Sequence, residues 1–147
     1  MKSKLGWRGY ISSREIAGQI IPQRVQNLVI RNYTQKNNML FLLSATEYYM
    51  DNCYMMLNSL QEELINLAGL VFYSLDLLPG EWKRRKQLYE TILSKECEVH
   101  FALEELVIAR GEQISLIEDI LSCRTIAMEA ENGIEQVARA SLLFQET

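Results

Sequence analysis

The stretch that decides the fold is "NNMLFLLSATEYYMDN", Asn37 to Asn52, in which an apolar run stands between two polar, turn-forming segments. A continuous run such as Met39 to Ser44 is typical of a strand that is covered on both faces of a parallel sheet. We therefore predict the second strand of the chain here, with a turn in the polar segment that follows it.

Upstream of this strand, the sequence predicts one strand and one helix. Trp7 to Ile11 is short, aromatic and β-branched, which favours a strand. From Pro22 to Asn37 the apolar residues recur at three- and four-residue steps, as on one face of a helix. The predicted inward-facing residues of this helix are Val25, Leu28, Val29 and Tyr33.

The same alternation continues downstream. The predicted elements are a helix from about Asn52 to Leu67, a strand at Leu70 to Leu75, a helix at Glu81 to Lys95 and a strand at Cys97 to Leu103. Alternating strands and helices predict an α/β fold, with a four-stranded parallel open sheet and helices on both faces. We take the strand order to be 2-1-3-4, as in doubly wound sheets. We expect a single domain over residues 1–147, with its sheet core at 7–104.

The C-terminal residues 110–144 have a helical pattern and form a possible dimerisation element. Asn132 and Gly133 are expected to break it, leaving a last short helix to about Phe144. An apolar stripe in this segment suggests either a dimer contact or packing on the sheet. Its members are Ile114, Ile117, Ile120 and Leu121.

The composition of the chain limits the possible binding partners and cellular compartment of the protein. The chain has 147 residues and a formal net charge of -4, so no basic field would attract nucleic acid, which we do not expect as a partner. Its three cysteines form no closely spaced pair, the first residues lack a signal-peptide core, and no run reaches the ~20 apolar residues of a membrane span. We predict a cytoplasmic protein without membrane insertion.

Polar side chains follow each predicted strand, at the edge where ligands bind in parallel sheets. Ser12, Ser13 and Arg14 follow the first strand and Glu47 follows the second, and these four are the candidate catalytic residues. The remaining candidates would bind a ligand, with the amides at the start of the first helix favouring an anion. They are Gln23, Gln26, Tyr73, Ser74, Asp76 and Glu104.

Each candidate also has a purely structural interpretation. Ser12 and Ser13 could be a nucleophile or turn and cap residues, since no histidine lies nearby in the sequence to activate them. Arg14 could stabilise an oxyanion or form a surface ion pair, and Glu47 could be a general base or part of a turn. The basic run Lys83 to Lys86 is either a solvated helix face or a phosphate contact.

The sequence predicts neither a metal site nor a cofactor. His100 lies inside the fourth predicted strand, where a hydrogen-bonded core residue is expected, and the scattered cysteines do not complete a zinc site. The chain contains no GxGxxG, GxxxxGK[ST], GxSxG or HExxH motif. The sequence therefore lacks the motifs that would identify a dinucleotide-binding enzyme, a P-loop NTPase, a common α/β hydrolase or a zincin.

Several stretches resemble a family of small bacterial proteins from sporadically distributed surface-carbohydrate biosynthesis clusters. They are "GYISSR", "IPQRVQNLVIRNY", "LLSATEY", "NCYMML", "VFYSLDLLP" and "HFALEEL", between about Gly9 and Leu121. The resemblance implies a setting in cytoplasmic polysaccharide or lipopolysaccharide assembly, without an established reaction. Together with the polar residues at the strand ends, this setting suggests a sugar nucleotide, a phosphorylated sugar or a similar anionic intermediate as ligand.

The order of motifs is also similar, more distantly, to the catalytic domain of serine resolvases and invertases, a flavodoxin-like architecture. That resemblance implies a nucleophile at Ser13 or Ser12 helped by Arg14, and a homodimer formed through the C-terminal helix. In the "SLDLLPG" turn, Leu77 and Gly80 stand where the family has arginines, so phosphate would lose charge stabilisation.

Three functions follow from these observations. The first is an accessory protein or small enzyme of surface-polysaccharide biosynthesis that binds an anionic sugar intermediate at the ends of strands one to three. The alternative is a non-catalytic, resolvase-like homodimeric interaction module. The third is recombinase-like phosphoryl transfer to DNA. Whether the protein is an enzyme stays open at this point.

Overall fold

The computed structural model describes residues 5–145, with side chains to residue 143. The chain divides between Gln113 and Ile114 into two compact units. The first unit contains β1 (Trp7–Ser12), α1 (Gln23–Lys36), β2 (Phe41–Glu47), α2 (Met55–Glu63), β3 (Gly69–Phe72), α3 (Trp82–Ser94), β4 (Glu98–Phe101) and β5 (Leu106–Ile108). The second unit is almost all of α4 (Glu112–Gln145).

The strands form one mixed sheet in the order β2-β1-β3-β4-β5. The first four strands are parallel and have the predicted order, whereas β5 runs antiparallel to β4. The prediction of a four-stranded, fully parallel sheet ending at residue 104 is therefore wrong. β5 has only three residues and follows a tight turn in which Glu105 has a φ of 55°. Three residues are too few to show the alternation that identifies a strand in sequence.

The helices of the first unit lie on both faces of the sheet, as predicted. α1 packs on β1 and β2, while α2 packs on β2 and contacts α3, which packs on β4. From β1 the chain moves along the sheet to β2 at one edge, and from β2 it moves back past β1 toward the other edge, to β3 and then β4. Because such crossovers are right-handed, α1 covers one face, and α2 and α3 cover the other.

The predicted inner face of α1 is partly wrong. Val25 and Leu28 are exposed, and the buried residues are Gln26, Ile30, Tyr33 and Thr34. Tyr33 is buried as predicted and is hydrogen-bonded to His100. Gln26 turns inward because its carboxamide is hydrogen-bonded to the backbone of Ser12, a polar contact that apolar periodicity does not indicate.

The β2 strand is not covered on both faces, contrary to the prediction. Leu43 is 78% exposed. β2 is the edge strand of the sheet, pairing only with β1 among the described strands. An edge strand is covered less than a central one, so an apolar run here does not require burial on both sides.

The α4 helix is unbroken for 34 residues, so the predicted break at Asn132 and Gly133 is wrong. A single glycine inside a helix costs only about 1 kcal/mol relative to alanine, which does not by itself end the helix. Of the predicted stripe, Ile117 is buried, whereas the others are half-buried. None of the helices within residues 5–145 combines the length and apolar content needed to cross a membrane.

Candidate functional site

Most of the predicted side chains lie at the carboxyl ends of the parallel strands, where they form two separate hydrogen-bonded groups. Ser12 stands opposite Glu47 in the β1–β2 register, and the backbone N–H of Tyr73 donates to the carbonyl of Tyr10 at 3.1 Å. β1 therefore lies between the polar segments that follow β2 and β3. Gln23, in contrast, is exposed in the first turn of α1 and has no hydrogen bond to either group among the described residues.

Glu47 is fully buried and its carboxylate is surrounded by donors. Its Oε1 accepts from the Tyr10 hydroxyl at 2.8 Å and from the backbone N–H of Leu57 at 3.2 Å. Its Oε2 accepts from the backbone N–H groups of Met56 at 3.1 Å and Tyr48 at 3.2 Å. Two of these N–H groups belong to the first turn of α2, where the positive end of the helix dipole favours a carboxylate. Glu47 therefore caps α2.

The Tyr10 hydroxyl is held as a neutral donor. Its side chain is fully buried, and burial is the main cause that raises its pKa far above the usual range. The neighbouring Glu47 charge raises the pKa further, because an ionised phenol would face a carboxylate. The sequence offered no reason to select Tyr10, whose importance comes only from this contact across the sheet.

Ser12 is buried and is tied to α1 through its backbone. Gln26 accepts from the Ser12 N–H at 3.0 Å and donates to the Ser12 carbonyl at 2.7 Å. The Ser12 hydroxyl oxygen accepts from the backbone N–H of Arg14 at 3.2 Å. This combination is typical of a turn residue and leaves no path for an incoming ligand to reach the hydroxyl.

Among the four candidate catalytic residues, Ser13 and Arg14 are the two that solvent reaches. The Ser13 hydroxyl donates to the Glu47 carbonyl at 3.1 Å. The Arg14 guanidinium donates to the Met50 carbonyl at 3.1 Å and lies 4.8 Å from the centre of the Tyr54 ring. Both residues line a pocket of about 310 Å³, to which Glu15 and Asp51 contribute carboxylates.

A second cluster forms after β3. The buried Ser74 hydroxyl donates to Glu104 at 2.7 Å, and Glu104 also accepts from the Leu75 N–H at 2.9 Å. Ser74 in turn accepts from the N–H of Asp76 at 3.1 Å and so caps the 3-10 turn Leu75–Leu77. Burial, followed by the charges of Glu104 and Asp76, raises the pKa of Tyr73. Glu104 thus links the β3 turn to the segment after β4.

His100 is a hydrogen-bonded residue of the sheet interior, in agreement with the sequence prediction. Its Nδ1 lies 2.6 Å from the Tyr33 hydroxyl and its Nε2 lies 2.8 Å from Glu98. The Trp7 ring contacts it edge-on at 4.7 Å between centroids. Burial lowers the pKa of His100, and the bond to Glu98 opposes that shift. Within residues 5–145, no group of acidic, histidine or cysteine side chains is arranged to hold a metal ion.

Sequence reasoning missed a polar cavity between α2 and α3. Asn58 and Gln61 line it from α2, and Arg84 and Gln87 line it from α3. Both pairs are three residues apart, so each pair lies on one helix face. The shared three-residue spacing could have indicated a polar face on each helix, but the sequence does not show that α2 and α3 lie side by side.

Comparisons with known proteins identify the fold. No protein-family model matches the chain, and no curated protein matches its sequence. A resolvase family site-specific recombinase from Streptococcus pneumoniae is similar in structure, with a TM-score of 0.59 and 10% identity over 90% of this chain and 99% of that one. The N-terminal catalytic domain of TP901-1 integrase is similar with a TM-score of 0.53 and 12% identity, over 84% of this chain and 98% of that one.

The structural neighbours are thus catalytic domains of the serine resolvase and integrase class, and the chain has a resolvase-like α/β fold with a long C-terminal helix. At this level of identity the likeness concerns the fold alone. The comparisons do not support the predicted setting in surface-carbohydrate biosynthesis, and function has to be argued from the side chains.

Proposed function

We propose that the protein is a non-catalytic, resolvase-like interaction module that associates with a second copy of itself through α4. The observation that carries this proposal is an exposed apolar stripe along α4. Leu116, Ile134 and Val137 are 54%, 70% and 67% exposed. Large apolar side chains at such exposure on a long helix favour a partner.

The stripe has the spacing of a coiled-coil seam. Alternating steps of four and three residues keep side chains on one side of a helix that winds around another. We call these residues the heptad stripe: Leu116, Ile120, Cys123, Ala127, Ala130, Ile134 and Val137. They extend over about 30 Å of helix, at 1.5 Å per residue.

The heptad stripe matches a second copy of itself. Its large residues stand at the two ends, and the small residues Cys123, Ala127 and Ala130 stand in the middle. If two copies pair in register, large residues meet large ones and small residues meet small ones, whichever direction the partner runs. A surface that complements itself in this way is the requirement for a two-fold symmetric interface.

Three features favour a binding role over strand transfer to DNA. Neither the Ser12 nor the Ser13 hydroxyl is hydrogen-bonded to a general base in the described part of the chain. Glu47 is buried and its carboxylate accepts from Tyr10 and from the α2 backbone rather than from either serine hydroxyl. Leu77, where the recombinase pattern has an arginine, is buried.

The hypothesis of an anionic sugar at the strand ends has weaker support. Ser13 and Arg14 do line a pocket, but Glu15 and Asp51 line it too. A phosphate in this pocket would face two carboxylates for one guanidinium, and like charges repel. We therefore rank this hypothesis below self-association.

The test is the mass of the particle in solution, measured by analytical ultracentrifugation over a range of concentrations. The wild type is expected to approach twice 17.1 kDa. A double variant, Ile134→Glu with Val137→Glu, is expected to stay at the mass of one chain, because a dimer would bury four unpaired carboxylates. Both side chains are exposed, so the single chain tolerates the change.

Met128→Glu is the matched control. Met128 is also exposed and apolar, but its position in the heptad is on the other side of α4 from the stripe. This variant is expected to dimerise like the wild type. A wild type that remains a single chain at high micromolar concentration, or a Met128→Glu variant that dissociates as fully as the double variant, would overturn the proposal.

A further inference from the structure

Another cavity lies between α2 and α3 and adjoins the strand-end residues at Tyr54, whose ring Arg14 contacts. Its volume is about 450 Å³, which is within the usual range for sites that hold small molecules. Its floor is apolar and includes the buried side chains of Leu57 and Leu88. We call it the α2–α3 cavity.

The walls of the α2–α3 cavity are rich in carboxamides. Asn52, Asn58, Gln61 and Gln87 all line it. Gln61 donates to Asn58 over a long 3.4 Å, and the Asn52 and Gln87 side chains have no hydrogen-bond partner among the described residues. A carboxamide offers two donors and one acceptor. Such a wall fits a ligand whose groups both donate and accept, as hydroxyl groups do.

The charge of the α2–α3 cavity is positive. Arg84 lines it, and no described carboxylate does. Glu81 lies 3.8 Å from Arg84, but both side chains are well exposed, so this contact holds the guanidinium weakly. Arg84 is therefore placed to bind an anionic group, and a guanidinium binds phosphate oxygens in pairs.

The aromatic residue of the cavity is already covered by cations. The Tyr54 ring has Arg14 at 4.8 Å and Arg84 at 5.5 Å from its centre. A nucleobase would have to displace a guanidinium to stack on this ring, and would lose a cation–π contact in doing so. The arrangement fits a polyol phosphate better than a nucleotide.

We propose that the α2–α3 cavity binds a small phosphorylated polyol, such as a sugar monophosphate. Arg84 holds the phosphate, and the carboxamides of Asn58, Gln61 and Gln87 hold the hydroxyl groups. The site does not depend on association through α4, because all of its lining residues precede residue 113.

The experiment titrates the full chain with a panel of hexose and pentose monophosphates, and separately with inorganic phosphate, free glucose and AMP. Binding is followed by calorimetry and by the side-chain amide signals of 15N-labelled protein. At least one sugar monophosphate is expected to bind about 10-fold more tightly than phosphate, glucose or AMP. The carboxamide signals of Asn58, Gln61 and Gln87 should shift, while that of the distant, exposed Gln23 should not.

Two charge-matched variants locate the site. Arg84→Gln is expected to weaken binding about 10-fold or more, since a charge-assisted bond to phosphate is lost. Lys86→Gln removes the same charge from an exposed position of α3 outside the cavity and is expected to bind like the wild type. Circular dichroism of both variants checks that they are folded.

Several results would overturn the proposal. The first is that no sugar monophosphate binds. The second and third are that inorganic phosphate, or AMP, binds as tightly as the best sugar monophosphate. The fourth is that Arg84→Gln and Lys86→Gln weaken binding equally. Each contradicts one step: the site itself, the role of the carboxamides, the exclusion of a base from Tyr54, or the position of the phosphate.

Discussion

Glu47 shows how a single buried carboxylate can connect three elements. Its side chain leaves the end of β2, accepts from the Tyr10 hydroxyl of β1 and accepts from two backbone N–H groups at the start of α2. A charge without solvent contact is tolerated when several donors surround it. The position at the end of β2 that made Glu47 a candidate catalytic residue in sequence thus gives it a structural role.

Replacing Glu47 by alanine should destabilise the protein by about 3 kcal/mol, because the Tyr10 hydroxyl and the α2 amides lose their acceptor. Glu47→Gln keeps an oxygen for the helix and should cost less, about 1–2 kcal/mol. Urea denaturation of the two variants measures both values. An alanine variant within about 0.5 kcal/mol of the wild type would contradict the capping role.

At the scale of the element, the sequence predicted where α4 begins but not how far it continues. Its extent was predicted well at the N-terminal end, but the Asn132–Gly133 pair was taken as a stop. Helix-ending glycines act by adopting a left-handed conformation. Gly133 has no positive φ and continues the helix.

Gly133→Ala should therefore stabilise α4 by about 0.5–1 kcal/mol. A Cβ atom at this position would have nothing within 4 Å, so no clash offsets the gain. The measurement is amide hydrogen exchange of the surrounding helix residues, which should slow roughly two- to five-fold. Ala138→Gly, on the same helix, should change exchange in the opposite direction; faster exchange in Gly133→Ala would show that the helix does not continue through this position.

At the scale of the whole molecule, His100 links the stability of the fold to pH. It joins β4 to Tyr33 of α1 and to Trp7 of β1. Its pKa in the folded protein lies below the usual 6.5 because burial disfavours the imidazolium, even with Glu98 beside it. Below pH 6.5 the unfolded chain therefore binds a proton at this residue that the folded chain does not.

The His100 contribution to stability should be complete above about pH 6.5 and should decrease as the pH falls from there through the lowered pKa of the folded state. This contribution changes the free energy of unfolding by less than about 1.4 kcal/mol per pH unit, which is the limit for one proton. His100→Gln should remove this part of the slope. Denaturation of both proteins between pH 5 and 7.5 tests it, and identical pH profiles would contradict it.

Periodicity in the sequence was enough for the α/β class and the approximate positions of the first four strands, whereas their order, 2-1-3-4, was an assumption that the structure confirms. The class and the strand positions follow from local patterns, since an apolar run or a helical stripe is written in neighbouring residues. Polar residues directly after strands could be placed at one edge of the sheet for the same reason, and the structure does bring Ser12, Glu47 and Ser74 to that edge.

Only the tertiary structure decided what those residues do and which others join them. Glu47 became a helix cap because Tyr10 and α2 reach it, Gln26 turned inward to the backbone of Ser12, and the α2–α3 cavity arose from two helices that are distant in sequence. The physical reason is that burial, hydrogen-bond partners and charge environment depend on contacts across the sheet, whereas secondary structure depends largely on neighbours along the chain.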